Sequence, residues 1–147
     1  MDSRSSSSGT DSAEPPVKNF VIGSSFFRPR GRDGGHPWVV ASRPDNSCVV
    51  TLNVTDAERW SDKSCIITPE QHKSLSKDSA VAYERAELER LQDLESDRRC
   101  GALIIRDKFS DQVMQDIFKG AEKTKQLKRL VRNILEDQEL IGPSLEW

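Results

Sequence analysis

Apolar residues gather in short β-branched runs over the first half of the chain and at helical spacing over the last third. Phe20-Val-Ile-Gly is the first run and predicts a strand. Arg28 to His36 follows, RPRGRDGGH, and reads as a loop because glycine frees the backbone and proline fixes it. Trp38-Val-Val-Ala predicts a second strand, Arg43-Pro-Asp-Asn-Ser a turn, and Cys48-Val-Val-Thr-Leu-Asn-Val-Thr55 the longest strand. Together the two runs make a hairpin. Cys65-Ile-Ile-Thr68 is another short strand, closed by Pro69, and Gly101 to Arg106 is one more. This succession of short strands predicts a small barrel.

Between them, residues 79–95 carry two signals. Their Ala, Glu, Leu and Arg content favours a helix, while Val81 and Tyr83 fit the start of a strand. Ser110 is placed to cap a helix with Val113, Ile117 and Ala121 on its inner face. Thr124 is placed to cap a last helix, with Leu127, Leu130, Val131, Ile134 and Leu135 inward and Lys125, Lys128, Arg129 and Arg132 outward. Residues 1–16 are Ser-rich with no large apolar residue after Met1, and predict a disordered tail. The expected organisation is this tail, a domain over 17–135, and an acidic tail over 136–147.

With 147 residues, 35% hydrophobic and 31% charged, the chain suits one domain. No apolar run is long enough to cross a membrane, and no apolar segment of a secretory signal is present. Cys48, Cys65 and Cys100 are three in number with no CxxC pair, which argues against a disulfide framework or a cysteine zinc site. These features predict a cytoplasmic protein with reduced thiols and no cofactor. The Gly-rich phosphate loop, HExxH and GxSxG are all absent.

The net charge of −2 hides two basic islands, at 17–43 and 101–135, each at +4. Such islands suit a local anionic ligand, RNA or an acidic partner, as well as plain solvation. His36 and His72 each flank a strand and are the only histidines. Two imidazoles can share general base and general acid work. RNA is the matching substrate: a base takes the 2′-OH proton, the oxygen attacks phosphorus, and an acid protonates the leaving 5′-oxygen. Arg28, Arg30, Arg32 and Arg43 are candidates to neutralise the phosphate. Thr55 can hold a phosphate oxygen or merely cap its turn. Trp60, in a polar loop, and Tyr83, the single tyrosine, are candidates to stack on bases; core packing is the other reading of Tyr83.

The order of motifs is distinctive: a Gly/Arg loop, His36-Pro-Trp-Val-Val, a turn, Asn53-Val-Thr, Asp62-Lys-Ser-Cys-Ile-Ile, Glu70-Gln-His, then Asp78-Ser-Ala-Val-Ala-Tyr. Over residues 17–125 it resembles a divergent branch of the PemK/MazF-like toxin family. The resemblance implies an α+β fold, an SH3-like β-barrel with C-terminal helices. It implies a toxin-like endoribonuclease of a toxin–antitoxin system that cleaves RNA without metal, often as a homodimer, restrained by an antitoxin or other inhibitory protein. In that family an arginine beside one strand and a Thr or Ser at the end of the next do the chemistry. Thr55 matches the second position, whereas His36 stands where the arginine is expected. The expected catalytic set is therefore His36, His72, Arg32 and Thr55, with Arg30, Arg43, Trp60 and Tyr83 binding substrate. The alternative is a non-catalytic SH3-like module that binds RNA or an acidic protein. The resemblance also makes Ser79–Tyr83 a strand, and weighed against the helical propensity the expectation is a strand to about Glu84, then an irregular or helical piece to about residue 96.

Overall fold

The computed structural model describes residues 20–30 and 36–143. The expected disordered tail, Arg32 and Trp147 lie outside them. The described chain is α+β, a curled antiparallel six-stranded half-barrel with three α-helices. Its strands are β1 (Ser25–Phe27), β2 (Trp38–Val40), β3 (Cys48–Asp56), β4 (Ile66–Ile67), β5 (Ser79–Arg90) and β6 (Ile104–Arg106), and its helices are α1 (Leu91–Arg99), α2 (Asp111–Lys123) and α3 (Arg129–Asp137). Across the sheet the strands run β4-β5-β3-β2-β1-β6. No helix among the described residues is long and apolar enough to cross a membrane.

The β2–β3 hairpin forms where its sequence predicts. Asp45 and Cys48 exchange both backbone bonds, at 2.8 and 3.1 Å, and Asn46 and Ser47 between them take φ of 54° and 64°. Two left-handed central residues give a turn whose twist matches that of the strands, and Asn accepts that backbone more readily than most residues. The Phe20 run differs from expectation. It forms a turn, closed by Gly23 at φ 95°, and the first strand starts at Ser25. Phe20 itself is fully buried, so its apolarity marks the core and not a strand.

β5 is longer than either sequence signal suggests. Pairing to β3 carries it through Arg90, against its helical propensity, and α1 begins only at Leu91. Long-range pairing of a strand with buried Val81, Tyr83 and Ala86 outweighs a preference of a few tenths of a kcal/mol per residue. The pairing is interrupted once. Asn53 faces Ala82 and Thr51 faces Glu87, so β3 advances by two residues while β5 advances by five. This bulge turns Glu84 and Arg85 outward and keeps Tyr83 and Ala86 in the core.

Two cores result. Val39, Val50, Leu52, Val54, Val81 and Tyr83 pack under α2 and α3. On the opposite face Phe20, Phe26, Trp38, Val40 and Val49 pack with Leu94 of α1 and Leu103. Ser110 caps α2 as predicted, accepting from Val113 N at 3.2 Å. Thr124 does not open the last helix. Its N–H closes α2 on Gly120 O, and its hydroxyl donates to Asp62 Oδ2 at 2.6 Å. α3 is capped at Lys128, four residues later than predicted, and its inner face is Val131, Ile134 and Leu135, which leaves Leu130 pointing outward, 61% exposed. The chain does not leave the fold at residue 135. α3 runs through Asp137, and Ile141 returns to the core, 4% exposed.

Candidate nucleic-acid interface

Alternation along β3 sends Thr51, Asn53 and Thr55 to the face opposite α2 and α3. All three are buried. Buried polar side chains require partners, and here charged residues supply two of them. Thr51 Oγ1 donates to Glu89 Oε2 at 2.6 Å, and Glu89 Oε1 accepts from Arg28. Asn53 Oδ1 accepts from Arg85 Nη1 at 3.1 Å. Arg85 reaches Asn53 only because the β5 bulge lifts it from the strand path.

Arg85 also lies over the Trp60 ring, 4.6 Å from its centroid. Trp60 follows the 3₁₀ turn Ala57–Arg59 at the end of β3 and is half-buried. Its Nε1 has no partner among the described residues. The exposed Arg85, the Trp60 ring and the Asn53 amide therefore form one cation–aromatic–amide group at the surface. Asp56, beside it, is held below the usual carboxylate range by its hydrogen bond from Lys77 and by the backbone N–H of Glu58. It thus remains an anion that fixes the 3₁₀ turn.

His36 is half-buried and precedes β2. Val54 N donates to Pro37 O at 2.8 Å, and Asn53 Nδ2 to the same oxygen at 3.4 Å. Proline has no N–H to return, so the ladder is one-sided here. Continued from the pair Trp38 and Asn53, its direction sets His36 across from Thr55, on the face that carries Asn53. Small Ala82 and Ala80 stand opposite Asn53 and Thr55 on β5.

His72 is elsewhere. It lies in the loop after β4, 6% exposed, with its ring 4.2 Å from that of Phe109. Its Nε2 is sealed, with no partner among the described residues. Burial holds its pKa below the usual value, against the pull of Asp107 and with that of Lys73. The expected acid–base pair is thus corrected: the hydrophobic ring contact makes His72 a neutral core residue. Tyr83 is corrected likewise. It is fully buried and donates to Ile117 O at 2.6 Å, so neither face of its ring is free for a base. Burial, and the neighbouring Cys65, push its phenol well above the ordinary range.

Arg43 is exposed but engaged. Its backbone N–H donates to Gln138 Oε1, its guanidinium to Gln138 O, and its carbonyl accepts from Gln138 Nε2. It clips the chain after α3 to the hairpin turn. Arg30 is exposed beyond β1, in a cleft with Asp97 and Cys100, and Arg32 lies outside the described residues. The structure therefore joins Trp60 to Arg85 and Asn53, which the sequence did not single out, and sets Thr55 two residues further along the same strand. Asn53 had a signal, the polar 51, 53, 55 alternation within an apolar run. Arg85 had none, because only the bulge brings it there.

No family model matches the chain, and no curated protein matches it.

Proposed function

We propose that this chain is an SH3-like barrel module that binds single-stranded RNA on the surface of β3 and β5. The carrying observation is Arg85, held at once by the Asn53 amide and the Trp60 ring, so that cation and aromatic plane are presented together. A base has a π-face for either plane, and the guanidinium has further N–H donors for a phosphate. His36 and Thr55 add an imidazole and a hydroxyl at the end of the same face. A second reading keeps the cutting activity. The placing of His36 across from Thr55 favours it, with His36 taking the 2′-OH proton as that oxygen attacks phosphorus and the 5′-oxygen leaves. In that version water supplies the leaving-group proton, since His72 is sealed in the core.

Incubating the protein with mixed single-stranded RNA in EDTA tests both readings. The binding reading expects intact RNA and a mobility shift that weakens with salt. Fragments ending in 2′,3′-cyclic phosphate, lost with His36→Ala and kept with His72→Leu, would establish the cutting site. Intact RNA without any shift at low salt would remove both.

A further inference from the structure

We propose that a second site, between the end of β1 and the turn that closes α1, takes a ribonucleotide-sized phosphate ester. It does not rest on the RNA-binding reading. A cleft of about 620 Å³ opens there, lined by Arg28, Arg30, Asp97, Cys100 and Ala102. That volume falls within the range of small-molecule sites, roughly 300 to 1,000 Å³.

Arg28 is set for an anion. Its guanidinium lies over the rings of Phe26 and Trp38, 5.2 and 5.1 Å from their centroids, and its Nη2 donates to Glu89. Glu89 is in turn fixed by Thr51, at 2.6 Å. A guanidinium carries five N–H donors, and among the described residues only Nη2 has a hydrogen-bond partner. The remaining donors are thus pre-positioned on a side chain that loses little freedom on binding. Glu89 offsets the charge of Arg28, and Arg30, exposed and without an ion-pair partner among the described residues, balances Asp97, so the cleft acts through directed guanidinium donors and not through a net positive charge.

The opposite wall is fixed by backbone. Ala102 N and Leu103 N both donate to Asp97 O, at 2.9 and 3.2 Å, and Gly101 makes the turn at φ 83°. Nothing lies within 4 Å of the place a Cβ would occupy on Gly101, so the cleft is open on that side. The Asp97 carboxylate has no hydrogen-bond partner among the described residues and is half-buried. An acceptor-only group lining the same cleft as two arginines suits vicinal ribose hydroxyls, with the phosphate taken by the guanidinium donors. A free nucleotide and the 5′-phosphorylated end of an RNA chain share this chemistry.

Cys100 provides the readout. It is exposed and lines the cleft. Cys65 is buried, and burial pushes its thiol up to about 11, so it stays unreactive. In Cys48→Ser protein, maleimide modification therefore reports on Cys100. Adenosine 5′-monophosphate is expected to slow it, and adenosine to leave it unchanged. Arg30→Gln should weaken the protection about tenfold, the scale of one lost charge-assisted bond. Asp97→Asn should bring the nucleotide and its 2′,3′-dideoxy counterpart to equal protection. Stronger protection by a 5′-phosphorylated tetranucleotide than by the mononucleotide assigns the chain end, and the reverse order assigns the free nucleotide. An unchanged rate at millimolar nucleotide, or equal protection in wild type and Arg30→Gln, overturns the site.

Discussion

β3 carries two rows of side chains that are equally buried and chemically opposite. Val50, Leu52 and Val54 face α2 and α3 and belong to the apolar core there. Thr51, Asn53 and Thr55 face the other way, and the partners of the first two, Glu89 with Arg28 and Arg85, come from residues that reach solvent. The apolar row contributes stability through packing. The polar row contributes little net stability, since each bond mainly offsets the desolvation of its own groups. What it does is hold two arginines in fixed positions at the surface. The difference teaches that one strand can serve as core on one face and hold surface arginines on the other, where the binding surface is proposed, divided by the period of two.

Substitutions that separate the rows should separate stability from binding. Leu52 is fully buried, so Leu52→Ala should cost about 3 to 4 kcal/mol in urea unfolding. Arg85→Gln, which takes the guanidinium away from the buried Asn53 amide, should cost about 1 kcal/mol, well below the Leu52 loss. A large stability loss in the second would mean that Arg85 is structural and would break the contrast.

Gly120→Ala tests the apolar side from the helix. The added Cβ would stand 2.3 Å from Tyr83 Oη, 2.8 Å from Cys65 Cβ and 2.9 Å from Ser64 O. The tyrosine must give up its bond to Ile117 O or α2 must shift, so a loss of about 2 to 3 kcal/mol is expected from thermal unfolding. Tyr83→Phe removes only the hydroxyl and should cost about 1 kcal/mol. Its RNA affinity should equal that of wild type. A drop would return Tyr83 to the binding surface.

The smallest effect concerns His72. In the unfolded chain His72 takes a proton near pH 6.5, whereas burial keeps it neutral to lower pH in the fold. The unfolded state then binds more protons, so stability falls as pH drops below about 6.5 towards the depressed native value. Above that window the contribution is constant. His72→Leu should flatten this slope. Urea midpoints measured between pH 7.5 and 5 on wild type and this variant would show it; equal slopes in both would contradict the buried, neutral His72.

The strands were legible where β-branched runs and turn residues agreed, as in Trp38-Val-Val and the Asp45-Asn46-Ser47-Cys48 turn. α2 was legible through the Ser110 cap and the Val113, Ile117 and Ala121 spacing. The second half of β5 was not, because its local composition favours a helix and only pairing with β3 overrules it. The acidic segment after residue 135 was misleading for a related reason. Its charges mark exposed positions, while Leu140 and Ile141 among them bring the chain back to the core. Of the candidate site, His36, Thr55 and Trp60 could be picked from strand ends and loop composition. His72 occupies an equivalent place in the sequence but lies over Phe109, a contact across 37 residues that no local pattern signals. Arg85 was hidden by the bulge.

The most direct test is fluorescence anisotropy of a labelled single-stranded RNA, with salt varied, for wild type, Trp60→Ala, Arg85→Gln and a Lys125→Gln/Lys128→Gln control. Loss of one stacked base is worth about 1 to 3 kcal/mol. Trp60→Ala should therefore weaken binding roughly five- to 150-fold with the salt slope retained, and Arg85→Gln should lower both affinity and slope. The lysine control should stay close to wild type. Equal affinities for wild type, Trp60→Ala and Arg85→Gln, with the loss confined to the lysine control, would contradict a binding surface built on the polar row of β3.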